Sequence, residues 1–161
     1  MHRRSKVTLG LVALALAALV IPALSLAGRN TVEVNAKLKG ANEVPGPGDS
    51  NGKGDIAVFL KAKKEKVCFN LELDKIDGAS AGHIHKGDSE TAGAIKVTLF
   101  EADPPLAVPG EFEGCVKNVK RKLIKRIARN PEKFYVNVHN AEFPDGAVRG
   151  QLEGEPDVVN P

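Results

Sequence analysis

The 161-residue sequence contains 23 basic and 20 acidic residues, a formal net charge of +3 at pH 7. This length suits one domain with appended segments. Residues 1–27 contain three of the basic residues and no acidic residue, so the rest of the chain is formally neutral, with 20 residues of each sign. A neutral domain lacks the basic excess that nucleic-acid-binding proteins use, and nucleic acid is therefore excluded as an expected partner.

The first 27 residues have the organisation of a secretory signal peptide. A basic stretch at residues 2–6 precedes an almost entirely apolar run at residues 7–21, and the small residues Ser25 and Ala27 occupy the positions that signal peptidase reads. We predict cleavage after Ala27 and secretion to an extracytoplasmic compartment, either the periplasm or the cell surface. The alternative is an uncleaved anchor, because the apolar run approaches the roughly 20 residues that span a bilayer. Only in that case is a membrane a partner.

Short alternating segments predict a mostly antiparallel β-domain over residues 28–153. In residues 31–38 apolar side chains alternate with polar ones, as in a half-buried strand. Turn-forming residues separate the segments and include a Pro-rich turn at residues 104–109. Residues 154–161 are predicted to be a flexible tail. The further strands are predicted at residues 54–62, 67–73, 81–85, 94–100, 111–116, 134–139 and 147–152.

Residues 119–130 depart from the strand pattern. Their apolar side chains, which include Val119, Leu123 and Ile127, fall on one face of a helix. We therefore predict an all-β antiparallel sandwich or barrel with one short amphipathic helix. The opposite, basic face of that helix consists of Arg121, Lys122, Lys125, Arg126 and Arg129.

The helix lies within residues 117–133, which we call the basic segment. It contains eight basic residues and one acidic residue, Glu132. One interpretation is a docking surface for anionic polymers or lipid headgroups. The other is a solvated helical face that covers one edge of the sandwich without a partner, which is the commoner role of such a face.

The two cysteines, Cys68 and Cys115, lie in the part of the chain that we predict to be exported. Outside the cytoplasm an even pair of cysteines indicates a disulfide first. A metal or redox pair would usually have closer spacing, such as two intervening residues. We therefore predict a disulfide between Cys68 and Cys115.

Three histidines beyond residue 27 are candidates for a shared site. His83 and His85 point to the same side of a strand, because side chains repeat every two residues. The last two predicted strands also place polar side chains opposite their apolar ones. If these strands are neighbours, one polar patch forms on the side away from the core. The predicted patch consists of His83, His85, Asn137, His139, Arg149 and Gln151.

Three neutral imidazoles can bind Cu(II) or Zn(II), and an open fourth position would permit ligand exchange or chemistry. The ordinary alternative is a hydrogen-bonded network that holds strands and loops together without a metal. Arg149 argues against the metal, because a nearby cation repels a second cation. The sequence has no serine nucleophile motif, no phosphate-binding glycine loop and no zinc-type cysteine spacing, so we predict no catalytic residue.

Four motifs in chain order resemble the CHRD domain, a family named for chordin. They are LKGANEVP at 38–45, AGHIHKG at 81–87, YVNVH at 135–139 and FPDGAVRGQL at 143–152. The resemblance implies an immunoglobulin-like β-barrel that is distantly similar to copper/zinc superoxide dismutase. It implies no settled activity for the family.

The similarity to the dismutase implies candidate roles for single residues. His83 and His85 resemble the His-x-His copper ligands, and His139 resembles a further copper ligand. The histidine that bridges copper and zinc and the zinc-loop histidines have no counterpart, because no other histidine follows residue 27. The resemblance thus excludes a two-metal dismutase and leaves a copper-only site open.

Together these observations predict a non-enzymatic extracytoplasmic module. We expect the polar patch to hold an unidentified ligand or partner, with the basic segment as a further contact surface. The alternative is a copper-binding redox protein of dismutase type that uses the three histidines. Copper is the one cofactor that the sequence suggests.

Overall fold

Eight strands and one α-helix account for most of the regular structure in residues 31–154, the part of the chain that the computed structural model describes. The predicted signal peptide and all of the predicted tail except Gly154 lie outside the described residues. The strands are β1 (Val32–Lys39), β2 (Lys53–Lys61), β3 (Lys66–Asp74), β4 (Ala79–Lys86), β5 (Ile95–Leu106), β6 (Gly110–Val116), β7 (Phe134–His139) and β8 (Val148–Gln151). The helix α1 is Arg121–Arg129, and short 3-10 turns occupy Gly40–Asn42, Ala62–Lys64 and Pro131–Lys133.

All strand pairs are antiparallel and belong to one hydrogen-bonded sheet with the order β5-β4-β7-β8-β1-β2-β3-β6. The two end strands, β5 and β6, contact each other, so the sheet curves into a nearly closed barrel. Curving one sheet onto itself lets a single apolar interior form without a second layer. The predicted all-β antiparallel fold with one helix is confirmed.

Strict alternation along the strands puts the apolar side chains inside the barrel. In β1 the side chains of Val34, Ala36 and Leu38 are buried, whereas the intervening polar ones are exposed. The helix α1 packs beside the turn that follows β2 and adds Ile124 and Ile127 to the same apolar core. Within residues 31–154 no helix has the length and apolar character needed to cross a membrane.

The element boundaries lie within two residues of the predicted ones, except at the end of β5. The predicted turn from Pro104 is wrong at its start, because β5 continues to Leu106. β5 lies at the end of the strand order, where a missing proline N–H interrupts no central ladder. The helix begins at Arg121 instead of Val119, although Val119 is buried and belongs to the core.

The predicted disulfide between Cys68 and Cys115 is present. The two residues are direct partners in the pairing of β3 with β6. Because β6 ends the sheet and has one hydrogen-bonded neighbour, the disulfide fastens an end strand to the rest of the barrel.

We predict that Cys68→Ala combined with Cys115→Ala lowers the free energy of unfolding by roughly 2–4 kcal/mol, because the cross-link restricts the unfolded chain. Urea denaturation of the oxidised protein and the double variant measures the difference. Reduced wild-type protein should unfold near the midpoint of the variant, and reductant should leave the variant unchanged. Equal stability of oxidised and reduced wild type would contradict the prediction.

Candidate functional site

The pairing of β4, β7 and β8 brings the predicted polar residues onto one outer face of the barrel. His83 is the partner of Asn137 across β4 and β7, and Asn137 is the partner of Arg149 across β7 and β8. His85 and Gln151 both pair with Tyr135 in the same way. The polar side chains that alternation placed on the side away from the core therefore lie next to one another across the three strands.

This outer face is covered by residues 87–94, which we call the covering loop. His83 and His85 are each 8% exposed, and Arg149 is 1% exposed. Arg149 Nη2 donates hydrogen bonds to the carbonyl oxygens of Asp88 at 2.5 Å and Thr91 at 3.0 Å. The predicted patch lies outside the apolar core, as expected, but it is largely a buried polar cluster and not an open surface.

Gln151 connects β8 to the covering loop and to the chain that precedes and begins β7. Its Nε2 atom lies within hydrogen-bond distance of three backbone carbonyls, those of Gly87 at 2.8 Å, Glu132 at 2.7 Å and Phe134 at 2.9 Å. The side chain thereby joins β8 to the start of the covering loop and to the chain that enters β7. Gln151 thus contacts backbone groups around the histidines, whereas the histidines contact one another.

The three histidines form a close group. His83 Nδ1 lies 3.0 Å from His139 Nε2. One ring nitrogen from each of His83, His85 and His139 lies within 4.8 Å of one from each of the others. Three imidazoles from two neighbouring strands therefore face a common point.

Backbone carbonyls fix the tautomers of two of these rings. His85 Nδ1 donates to the Gly93 carbonyl at 2.7 Å, and His139 Nδ1 donates to the Pro144 carbonyl at 2.9 Å. A carbonyl oxygen can only accept, so the proton of each neutral ring lies on Nδ1 and the lone pair lies on Nε2. His139 Nε2 then accepts a hydrogen bond from His83 Nδ1 at 3.0 Å, and the side-chain amide of Asn137 lies 3.1 Å from the same nitrogen. His85 Nε2 is buried and has no hydrogen-bond partner within the described residues.

Burial keeps the histidines uncharged. Desolvation lowers the pKa of His83 to about 4, with further lowering from the neighbouring His139 and His85. Desolvation also lowers the pKa of His85 and of His139. The Gly93 carbonyl and the Asn137 side chain act in the opposite direction on the pKa of His85, and the Pro144 carbonyl and the charge of Asp145 do so on that of His139. At neutral pH all three rings are therefore in the neutral form that binds metal ions.

The residues fit a first-row transition metal. Imidazole nitrogen is a preferred ligand of Zn(II) and Cu(II), and carbonyl-held Nδ1–H groups are the usual outer partners of ligating histidines. Nitrogens bound at about 2.0–2.1 Å to one ion lie at most roughly 4.2 Å apart. The ring nitrogens of the three histidines lie within 4.8 Å of one another. A small rotation of the rings would bring them within the distance that one ion requires.

Arg149 is separated from this group by an aromatic ring. Its guanidinium carbon lies 3.4 Å from the centroid of the Tyr135 ring, and the His85 ring stacks on the same ring at 4.8 Å with an interplanar angle of 11°. At these distances the guanidinium and the imidazole cannot both lie on the same face of the Tyr135 ring. The ring therefore lies between Arg149 and His85. The arginine charge is stabilised by the ring and by loop carbonyls, and it supplies no ligand.

The family model for the CHRD domain matches residues 34–152. This chain belongs to the CHRD-domain family. The match extends from β1 to the residue after β8 and includes every member of the polar cluster. No curated protein and no solved structure matches the chain. The expected similarity to superoxide dismutase therefore stays a prediction.

The sequence interpretation missed Tyr135 as a member of the site in this CHRD domain. Besides stacking on His85, its hydroxyl oxygen accepts a hydrogen bond from the Gly93 N–H at 3.0 Å. Tyr135 therefore contacts both a candidate ligand and the loop residue that holds that ligand. The sequence did contain a signal for Tyr135, because it lies two residues before Asn137 on β7 and therefore points to the same side of the strand.

Glu43 was also missed, although it lies in the first motif of the CHRD resemblance. Its side chain is 6% exposed, and Oε1 has no hydrogen-bond partner within the described residues. The carboxyl lies where a Cβ atom on Gly146 would be, and Gly146 has φ +148°, so the turn before β8 requires glycine on both counts. Burial raises the pKa of Glu43 to about 7, against the lowering effect of Arg149.

We predict that Glu43→Gln stabilises the protein above pH 7. Because the folded pKa is raised, the protonated carboxyl contributes fully below about pH 4.5, and its contribution is lost as the pH rises through about 7. Glutamine keeps the shape of the side chain without the ionisation, so the variant should gain up to roughly 3 kcal/mol over wild type at pH 8.

Urea denaturation at several pH values, read as the difference between the two proteins, measures this effect. Taking the difference cancels the opposite contribution of the histidines, whose lowered pKa values make stability rise with pH. A difference that does not change between pH 4.5 and pH 8 would show that folding does not raise the pKa of Glu43.

Proposed function

We propose that this exported CHRD domain is a non-enzymatic extracytoplasmic module that binds one transition-metal ion, Cu(II) or Zn(II), through His83, His85 and His139. The observation that carries the proposal is the cluster itself, in which one ring nitrogen from each histidine lies within 4.8 Å of those of the other two. In addition, Nε2 of His85 is a buried acceptor without a hydrogen bond within the described residues, while Nδ1 is held by the Gly93 carbonyl. An unsatisfied buried acceptor costs about 1–3 kcal/mol. A bound metal ion would satisfy it.

The ordinary alternative, a structural hydrogen-bond network, explains other members of the cluster better than it explains the histidines. Arg149 and Gln151 hold the covering loop through backbone carbonyls. A purely structural network would have little use for three imidazoles whose ring nitrogens lie within 4.8 Å of one another. The loop is therefore anchored by groups other than the candidate ligands.

Exposure supports a role in holding an ion more than a role in turnover. His83 and His85 are buried under the covering loop, and His139 is the partly exposed member of the group. An ion bound by these rings would be reached by solvent mainly beside His139. The disulfide is consistent with an oxidising, extracytoplasmic location, where Cu(II) is a stable oxidation state.

We predict that the purified protein, stripped with chelator, takes up one Cu(II) or Zn(II) ion per chain, because the three rings form one ligand set. His83→Ala, His85→Ala and His139→Ala should each weaken binding by at least a hundredfold. Calorimetric titration and elemental analysis measure affinity and stoichiometry. Asn70→Ala, an exposed polar residue on β3, is the matched control and should bind as wild type does.

Melting curves recorded with and without metal distinguish the two interpretations. Metal should raise the melting temperature of wild type and Asn70→Ala, and it should leave the histidine variants unchanged. If wild type takes up no stoichiometric ion while the histidine variants merely melt earlier, the histidines are structural. If copper-loaded protein accelerates superoxide decay, the redox alternative replaces the non-enzymatic module.

A second prediction concerns the orientation of His85. Tyr135→Phe keeps the ring between His85 and Arg149 but removes the hydroxyl that holds Gly93. Removing such an outer contact typically weakens metal affinity 10–100-fold, and we expect a loss in this range with a changed Cu(II) electron paramagnetic resonance spectrum. Competition with a chelator measures the affinity. An unchanged affinity and spectrum would show that the covering loop does not orient the ligand.

A further inference from the structure

The basic segment presents an uncompensated positive surface. On α1 the side chains of Arg121, Lys122, Arg126 and Arg129 are exposed. Of the two salt bridges formed within residues 31–154, neither involves the basic segment. The charges of this surface are therefore available to an anionic partner.

A groove of about 890 Å³ with the opposite character lies on the outer face of β8, β1, β2, β3 and β6. Lys37 and Lys39 also line it, but Lys37 already forms a salt bridge with Asp55 at 2.7 Å. The groove therefore carries a net negative charge. We call it the acidic groove, and its acidic residues are Asp55, Glu72, Glu111, Glu113 and Glu153.

The helix α1 and the acidic groove lie toward opposite ends of β2, although Gln151 at the edge of the groove contacts Glu132 of the basic segment. On β2 the groove is lined by residues 55–57 near the start of the strand, whereas α1 packs against the turn Ala62–Lys64 after its end. Five to seven residues of strand correspond to roughly 20 Å. The helix of one molecule therefore cannot occupy its own groove, and a contact between the two requires two molecules.

We propose that the basic segment of one copy of this chain docks in the acidic groove of a second copy. The choice of partner rests on charge complementarity between two exposed surfaces of the same protein. The nine-residue helix is about 14 Å long, and five strands span about 19 Å between the outer axes, so the helix fits the width of the groove.

This contact is head-to-tail. Each molecule in a bound pair retains one free helix or one free groove, so the contact leads to open linear assemblies unless the rotation between copies closes a ring. Strand addition at the sheet ends would be a different contact, which pairs backbone groups and does not depend on the charges of the helix or the groove. Association through charged side chains is also expected to weaken as salt screens the charges.

Sedimentation velocity of the wild-type protein with chelator present tests the inference apart from the metal site. At about 10 mM salt we expect species heavier than the monomer, and at about 1 M salt the monomer alone. Lys122→Glu with Arg126→Glu reverses the charge at two positions of the helix. Glu111→Lys with Glu113→Lys reverses the charge at two positions of the groove. Each pair should weaken association at least tenfold, and the four changes together should restore it.

Matched controls separate this contact from general charge effects. Lys75→Glu with Lys96→Glu makes the same change in net charge at exposed positions outside both surfaces, and association should persist. A wild type that stays monomeric at low salt overturns the proposal, as does a fourfold variant without restored association. Binding of monomeric wild type to phosphatidylglycerol vesicles, lost in the helix variant, would instead assign the basic segment to a lipid surface.

Discussion

The buried guanidinium of Arg149 is the interaction on which the polar site depends. A charged group removed from water needs partners, and this one has two carbonyl oxygens of the covering loop, both bound by Nη2, and the face of Tyr135, while its Nη1 has no hydrogen-bond partner within the described residues. Satisfying the arginine therefore requires the loop to lie across β4, β7 and β8. The loop in turn places the Gly93 carbonyl against His85, and that contact leaves Nε2 of the ring as the free nitrogen.

This arrangement resolves the objection that a cation beside three histidines opposes a metal. Repulsion between charges depends on what separates them, and Tyr135 occupies the space between Arg149 and His85. The arginine still lowers the pKa of His85 slightly, in the same direction as burial. A cation that helps to keep an imidazole neutral favours metal ligation, because protons and metal ions compete for the same lone pair.

Local periodicity predicted which side of each strand a residue occupies, and so placed His83, His85, Asn137 and His139 on one parity. The barrel, the helix and the disulfide followed from the same pattern and from the even cysteine pair. Register across β4, β7 and β8 is a tertiary property that alternation leaves open. The covering loop was equally hidden, since its contacts with Arg149 run through backbone carbonyls and carry no side-chain signal. Glu43 is buried against the turn at Gly146, which is distant in the sequence, so local periodicity could not predict its burial.

The position of the CHRD motifs separates the two proposed surfaces. The motifs at residues 38–45, 81–87, 135–139 and 143–152 supply Glu43, the histidines and Arg149, and in the fold they converge on one polar cluster. The metal-site proposal thus concerns residues that lie within these four motifs. The basic segment lies outside all four motifs, as do most residues of the acidic groove. Self-association therefore depends mainly on residues outside these motifs, whereas the metal-site proposal depends on residues within them.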